Sequence, residues 1–183
     1  MKIRLASNLQ ADSIVDGEGI RAVIWTQGCP HKCKGCHNLS TWSNTGGFLE
    51  DIEEVKKQMD LLEGQDGITF SGGEPLVQPE EILELAKHAK KIGLNVWMYT
   101  GFLFEDIMKD KAKKQVLKYI DVLVDGPFIL AGRSLDLHFK GSINQRVIDV
   151  PRSLKQDKVC LIAKYKKVKD PRALYKKEEG IYI

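Results

Sequence analysis

Three cysteines, Cys29, Cys33 and Cys36, fall within eight positions in the spacing C-x3-C-x2-C, and no other feature of the chain restricts its fold as sharply. Thiolates so close in sequence converge on one metal centre only where the backbone curls into a loop, and Pro30 and Gly35 supply turn chemistry for that curl. The number of thiols is informative. A structural zinc site closes with four protein ligands, and an ordinary four-iron cluster takes four cysteines, so a loop offering three leaves one metal position open. A disulfide framework fits poorly, because it needs paired cysteines in an oxidising compartment and the fourth, Cys160, is far away in sequence. On spacing alone a zinc site completed by His31 or His37 stays open, since both histidines lie inside or beside the loop.

The rest of the chain has to hold that loop. Its 183 residues suffice for one domain with a sizeable core, and 43% hydrophobic with 29% charged residues is the composition of a soluble globular protein. The first residues run straight into polar sequence, and apolar runs such as residues 22–25 are too short to cross a bilayer, so no membrane association and a cytoplasmic location are expected. The net charge of +3 is unevenly spread: from Lys164 onward there are seven basic and three acidic residues, leaving 21 and 22 in the remainder. A domain at residues 1–163 followed by a basic tail at 164–183 is the expected division. A solvated terminal segment explains that tail without a nucleic-acid partner.

Hydrophobic periodicity predicts strands over residues 2–9, 21–26, 68–70, 94–99 and 120–124 and helices over 49–63, 79–92 and 103–118, with further strands at 147–150 and 158–163. Strand and helix alternate through short links, which indicates an α/β fold with a mainly parallel sheet. In such sheets function gathers at the carboxyl ends of the strands. The cysteine loop, Ser71-Gly72-Gly73-Glu74-Pro75 and Asp125-Gly126-Pro127 all fall there.

These residues carry a resemblance. The C-x3-C-x2-C loop followed by Ser71-Gly72-Gly73-Glu74-Pro75 resembles the radical S-adenosylmethionine superfamily. More narrowly, the chain is similar to the activating-protein family of anaerobic (class III) ribonucleoside-triphosphate reductases. That match rests on Asp16-Gly17-Glu18-Gly19-Ile20-Arg21, Thr26-Gln27-Gly28-Cys29-Pro30-His31, Cys36-His37-Asn38 with Ser40-Thr41-Trp42, Trp97 to Phe102, Asp121 to Phe128 and Gly141 to Arg146. The superfamily often places an aromatic residue before its third cysteine, where this chain has Gly35. The narrower family commonly has a small residue there.

The resemblance implies a single-domain partial (β/α) barrel. It implies that Cys29, Cys33 and Cys36 bind three irons of a [4Fe–4S] cluster, with S-adenosylmethionine on the fourth. Reductive cleavage would give a 5′-deoxyadenosyl radical, which generates a glycyl radical on the large subunit of the reductase. A flavodoxin-type electron donor is implied as well. Contacts to S-adenosylmethionine are expected from Gly35, Cys36, His37, Gly72, Gly73 and Asn144, with Glu74 accepting from the ligand's ammonium group. Gly72 and Gly73 suit a backbone that must approach a ligand closely. A turn-forming role is open for Asn144, Arg146 and Asp125, His88 is expected at the surface, and Cys160 is expected to be a small buried hydrophobe. An activase for another glycyl-radical enzyme of the formate-lyase type and a zinc-binding interaction module are the alternatives.

Overall fold

The structure is a computed structural model and describes residues 1–165, so nearly all of the expected basic tail lies outside the described residues. In chain order the elements are β1 (Lys2–Leu5), β2 (Gln10–Ser13), β3 (Arg21–Thr26), β4 (Phe48–Asp51), α1 (Ile52–Asp60), β5 (Gly67–Gly72), α2 (Pro79–Lys91), β6 (Asn95–Tyr99), α3 (Phe104–Ile107), α4 (Lys111–Leu117), β7 (Val122–Asp125), β8 (Arg146–Asp149) and α5 (Val150–Gln156). They build one sheet in the order β4-β1-β3-β5-β6-β7-β8, with β2 also paired to β3. The four central strands run parallel, in a register that sets Thr26 beside Gly72, Phe70 beside Met98 and Tyr99 beside Val124. The flanking strands β1, β2, β4 and β8 add antiparallel pairings. The fold is therefore a mixed α/β sheet with a parallel centre.

Side chains alternate across that centre with a period of two. Ala22, Ile24, Ile68, Phe70, Val96, Met98 and Leu123 point to one face, where they meet Val55 and Met59 of α1 and Ile82, Leu85, Ala86 and Ala89 of α2 in the main core. The other face carries a smaller cluster of Trp97, Val122, Val124 and Val147, covered by Phe139, Ile162 and Tyr165. Tyr165 and Phe139 each stack edge-on against Trp97. Both faces of the parallel centre are covered, as its nearly unbroken apolar strands require.

The structure departs from the periodicity in four places. The helix expected from residue 49 starts at Ile52, because Phe48–Asp51 pair with β1 and the Asp51 side chain caps the helix by accepting from the Glu53 N–H. Leu49 is accordingly 52% exposed and not part of a helical stripe. The helix expected over 103–118 is two, broken where Asp110 caps a new start by accepting from the Ala112 and Lys113 N–H groups. Residues 2–9 hold a strand only to Leu5, and β2 follows as a separate strand. Residues 158–163 are not a strand but make one isolated bridge, Leu161 to Ile148, and α5, with Pro151 in its first turn and Asp149 as its cap, precedes them. Among the described residues no helix is long and apolar enough to cross a membrane.

Candidate active site

The four parallel strands end on one side, and the loops leaving them enclose a cavity of about 580 Å³. That size is ordinary for a small-molecule site. Cys29, Cys33 and Cys36 stand on one wall, Gly72 and Gly73 on the next, and Tyr99, Phe128 and Lys140 further round. The expectation that the cysteine loop and the residue 71–75 loop share a site is met.

The cysteine loop leaves β3 under backbone control: Gly28 N–H donates to Thr41 O, Cys29 N–H to Trp42 O, and Glu74 N–H to Gly28 O. All three cysteines are free and partly exposed. Backbone N–H groups of His31 and Lys32 donate to the Cys29 sulfur, while burial pushes that thiol above its ordinary range. The Asn38 N–H donates to Cys36 Sγ at 3.3 Å. The thiolate is the form that ligates metal. Among the described residues no three His, Cys, Asp or Glu side chains are close enough together to share a single metal ion. All three thiols line the cavity, where a cluster held by three cysteines would sit. The indole nitrogen of Trp42, another wall residue, is a buried donor with no acceptor among the described residues. A sulfur-rich group beside it would supply one. The donor set fits an iron–sulfur cluster.

Glu74 is placed differently from the sequence expectation. It is 0% exposed and does not line the cavity. Its Oε1 accepts from Leu76 N–H at 3.0 Å and the Thr100 hydroxyl at 2.8 Å. Its Oε2 accepts from Gly101 N–H and His31 Nε2, both at 2.8 Å. A carboxylate offers about four acceptor positions, and here all are filled by protein. These bonds give the side chain a positioning role: the turn after β5 carries it inward, to where the loops after β3 and β6 meet.

The glycines also answer to the fold. Gly72 has φ +105°, and a Cβ there would lie 2.5 Å from Thr26 O; at Gly73 it would lie 2.4 Å from Gly28 O. Close approach of neighbouring backbone already demands glycine at both positions, although both also face the cavity. Gly35, at φ +77°, packs against Leu130 and is not a wall residue. His37 is one, with its ring edge-on to Phe128. Asn144 is not: its Nδ2 donates to Pro127 O and its Oδ1 accepts from the Ser142 hydroxyl, so it organises the turn whose next residue, Gln145, reaches the wall. Asp125 is buried and pairs with Arg146, which also clasps Glu105.

Several wall residues carried no sequence signal, among them Trp25 and Lys140, and Tyr99 was noted only as part of the Trp97 to Phe102 motif. Lys140 is half-buried, its ammonium has no partner among the described residues, and burial pushes its pKa below the ordinary 10.5. The Asp16 to Arg21 motif acts from beneath. Arg21 is 1% exposed and donates to the Thr69 hydroxyl and to the carbonyls of Ile68, Glu18 and Asn95, with burial lowering its pKa to about 10. Thr69 in turn donates to Asp16 O, which holds Asp16 on the cavity wall.

Comparison with known proteins agrees with this geometry. A family described as 4Fe-4S single cluster domain matches residues 15–148. The anaerobic ribonucleoside-triphosphate reductase-activating protein of Haemophilus influenzae is 36% identical over 140 residues, covering 72% of this chain and 89% of that one. The proteins of the same name from Escherichia coli K12 and Enterobacteria phage T4 are 34% and 37% identical, each over 73% of this chain and over 91% and 86% of their own lengths. Among solved structures, QueE from Escherichia coli superposes with a TM-score of 0.47 at 16% identity, over 68% of this chain and 70% of that one. With its cysteine loop inside the matched region and its length nearly spanning these relatives, the chain belongs to the 4Fe-4S single cluster domain family and, within it, to the anaerobic ribonucleoside-triphosphate reductase-activating proteins.

Proposed function

We propose that this protein is a radical S-adenosylmethionine activase that installs a glycyl radical on the large subunit of an anaerobic ribonucleoside-triphosphate reductase. The observation that carries this reading is the sharing of one cavity by three free, partly exposed thiols and the Gly72–Gly73 backbone. Cys29, Cys33 and Cys36 would hold a [4Fe–4S] cluster through three irons. When bound, that cluster supplies the electron for reductive cleavage of S-adenosylmethionine, whose 5′-deoxyadenosyl fragment takes a hydrogen atom from the target glycine.

The chain's own residues confine that chemistry. Gly72 and Gly73 present backbone to the ligand volume, Cys36 and His37 border it, and Lys140 offers a positive charge to an anionic group of the ligand. Trp25, Tyr99 and Phe128 contribute aromatic wall to the same volume. We read the open sheet as a partial (β/α) barrel of radical S-adenosylmethionine type, residues 1–163 as the activase domain and 164–183 as its basic tail. A flavodoxin-type protein as electron donor and a cytoplasmic location belong to the same reading.

The test is anaerobic. Reconstituted protein is expected to hold about four irons with matching sulfide and, once reduced and mixed with S-adenosylmethionine and the reductase, to give the EPR doublet of a glycyl radical. One zinc per chain and no iron would overturn the chemistry. An intact cluster that cleaves S-adenosylmethionine but leaves the reductase without a doublet would overturn the partner.

A further inference from the structure

The cysteine loop is tied to the fold at its two ends and almost nowhere between. Among the described residues, the one hydrogen bond that residues 30–35 make to a group beyond the loop runs from His31 Nε2 to Glu74 Oε2, at 2.8 Å. The other end of that bond is immobile, since the same carboxylate is held by Leu76 N–H, the Thr100 hydroxyl and Gly101 N–H. The imidazole is packed as well as bonded. Its ring stands edge-on to Phe102 with centroids 4.6 Å apart, and a Cβ at Gly101 would come within 2.4 Å of its Cδ2. His31 lies two residues after Cys29 and two before Cys33.

We infer that His31 is a positioning residue that fixes the sulfur-bearing loop against the ligand-binding wall. Its bond to Glu74 converts the rigid junction of β5 and β6 into a fixed placement for Cys33 and Cys36, and Gly101 is glycine because the imidazole occupies the space of its side chain. This rests on the activase reading above, because it is the cluster and S-adenosylmethionine that need the two walls in register. A loop hung only from its ends would still bind iron, but it would release it sooner and present it to the ligand less well.

The experiment compares anaerobically reconstituted wild type with His31→Ala, His31→Gln, Gly101→Ala and the His31→Ala/Gly101→Ala double variant. Loss of one hydrogen bond to a charged acceptor corresponds to about tenfold in an equilibrium. We expect His31→Ala to surrender iron to a chelator about that much faster and to raise KM for S-adenosylmethionine, with kcat changed much less. His31→Gln, which keeps an N–H donor, should recover part of both. Gly101→Ala should mimic His31→Ala, and the double variant should be no worse than either. A residue that merely stabilised the fold would lower the melting temperature of the metal-free protein without splitting KM from kcat. Equal iron loss and equal KM in His31→Ala and wild type would overturn the inference while leaving the activase reading intact. If wild type takes up no cluster, that reading fails instead. The latch is then decided by hydrogen exchange of the metal-free protein: faster exchange at residues 32–36 in His31→Ala upholds it, and unchanged exchange overturns it.

Discussion

The two loops that face each other across the cavity are built in opposite ways. Residues 72–75 are locked: Gly72 and Gly73 abut neighbouring backbone, and Glu74 is fully buried with every acceptor position in use. The cysteine loop is open, its three thiols partly exposed and its middle bonded outward through His31. One wall is finished by the protein alone, whereas the other is left for metal to complete. The difference teaches which residues report chemistry and which report architecture. The sulfurs of Cys29 and Cys36 accept only from N–H groups of their own stretch of chain and Cys33 has no such bond among the described residues, so the trio points outward to a ligand. Glu74 and the glycines satisfy the fold so completely that their motif is structural first.

The largest effect expected from this contrast is at Cys33. Cys33→Ala should abolish cluster retention and S-adenosylmethionine cleavage while shifting the stability of the metal-free protein by no more than about 0.5 kcal/mol, as for most surface substitutions. Iron analysis and chemical denaturation of the same preparation check both halves. Normal cleavage by the variant would refute the cluster assignment. The converse holds across the cavity. Glu74→Ala leaves the Leu76 and Gly101 N–H groups and the Thr100 hydroxyl without their acceptor. It should cost about 3–5 kcal/mol, the scale of removing one side of a buried charged network. Denaturation of metal-free protein measures it. A Glu74→Ala variant as stable as wild type would erase the distinction between the two walls.

Much of this was legible in the sequence, and the exceptions have physical causes. The parallel centre was readable because strands covered on both faces must be apolar, and residues 21–26 were bounded correctly. The starts of α1 and α4 were misjudged and α5 was missed altogether because Asp51, Asp110 and Asp149 act as caps, and an Asp in a polar stretch looks alike as cap or as surface residue. In the site, the three cysteines proposed as cluster ligands stood out by their spacing. The saturation of Glu74 was not, because its partners come from positions 31, 76, 100 and 101, which only the fold assembles. His31 was visible as a histidine in a cysteine loop but invited a metal-ligand reading, since nothing local reveals a carboxylate 43 residues away.

Glycine substitutions sharpen the same comparison at smaller amplitude. Gly72→Ala meets both a positive φ and the Thr26 backbone, which cannot give way, and should cost about 2–4 kcal/mol. Gly35→Ala also has a positive φ, but its nearest obstacle, at 2.8 Å, is the end of the Leu130 side chain, which can turn aside. About 1 kcal/mol is expected there. Parallel denaturation curves decide the order. Equal costs would mean that the cysteine loop is as tightly packed as its neighbour.

The smallest effect concerns the third wall, where Lys140 stands. Burial disfavours its charged form, so the folded pKa lies below the ordinary 10.5 that the unfolded chain keeps. The sign follows from linkage: below the folded value the ammonium costs stability in full, and that cost fades as pH rises through the folded pKa towards 10.5. Lys140→Met should therefore melt at or slightly above wild type at neutral pH, with the difference shrinking in alkali. Among the described residues no group pairs with this ammonium, which leaves it available to a ligand in the cavity it lines. Lys140→Met should bind S-adenosylmethionine about fivefold more weakly, as expected for a lost charge-assisted contact at a partly wet site. It should bind 5′-methylthioadenosine, which lacks the amino-acid portion, as wild type does. Unchanged binding of both, with a raised KM for the reductase, would instead turn this wall towards the partner chain. The cavity would then have one face for metal, one for the nucleoside and one for the protein it activates.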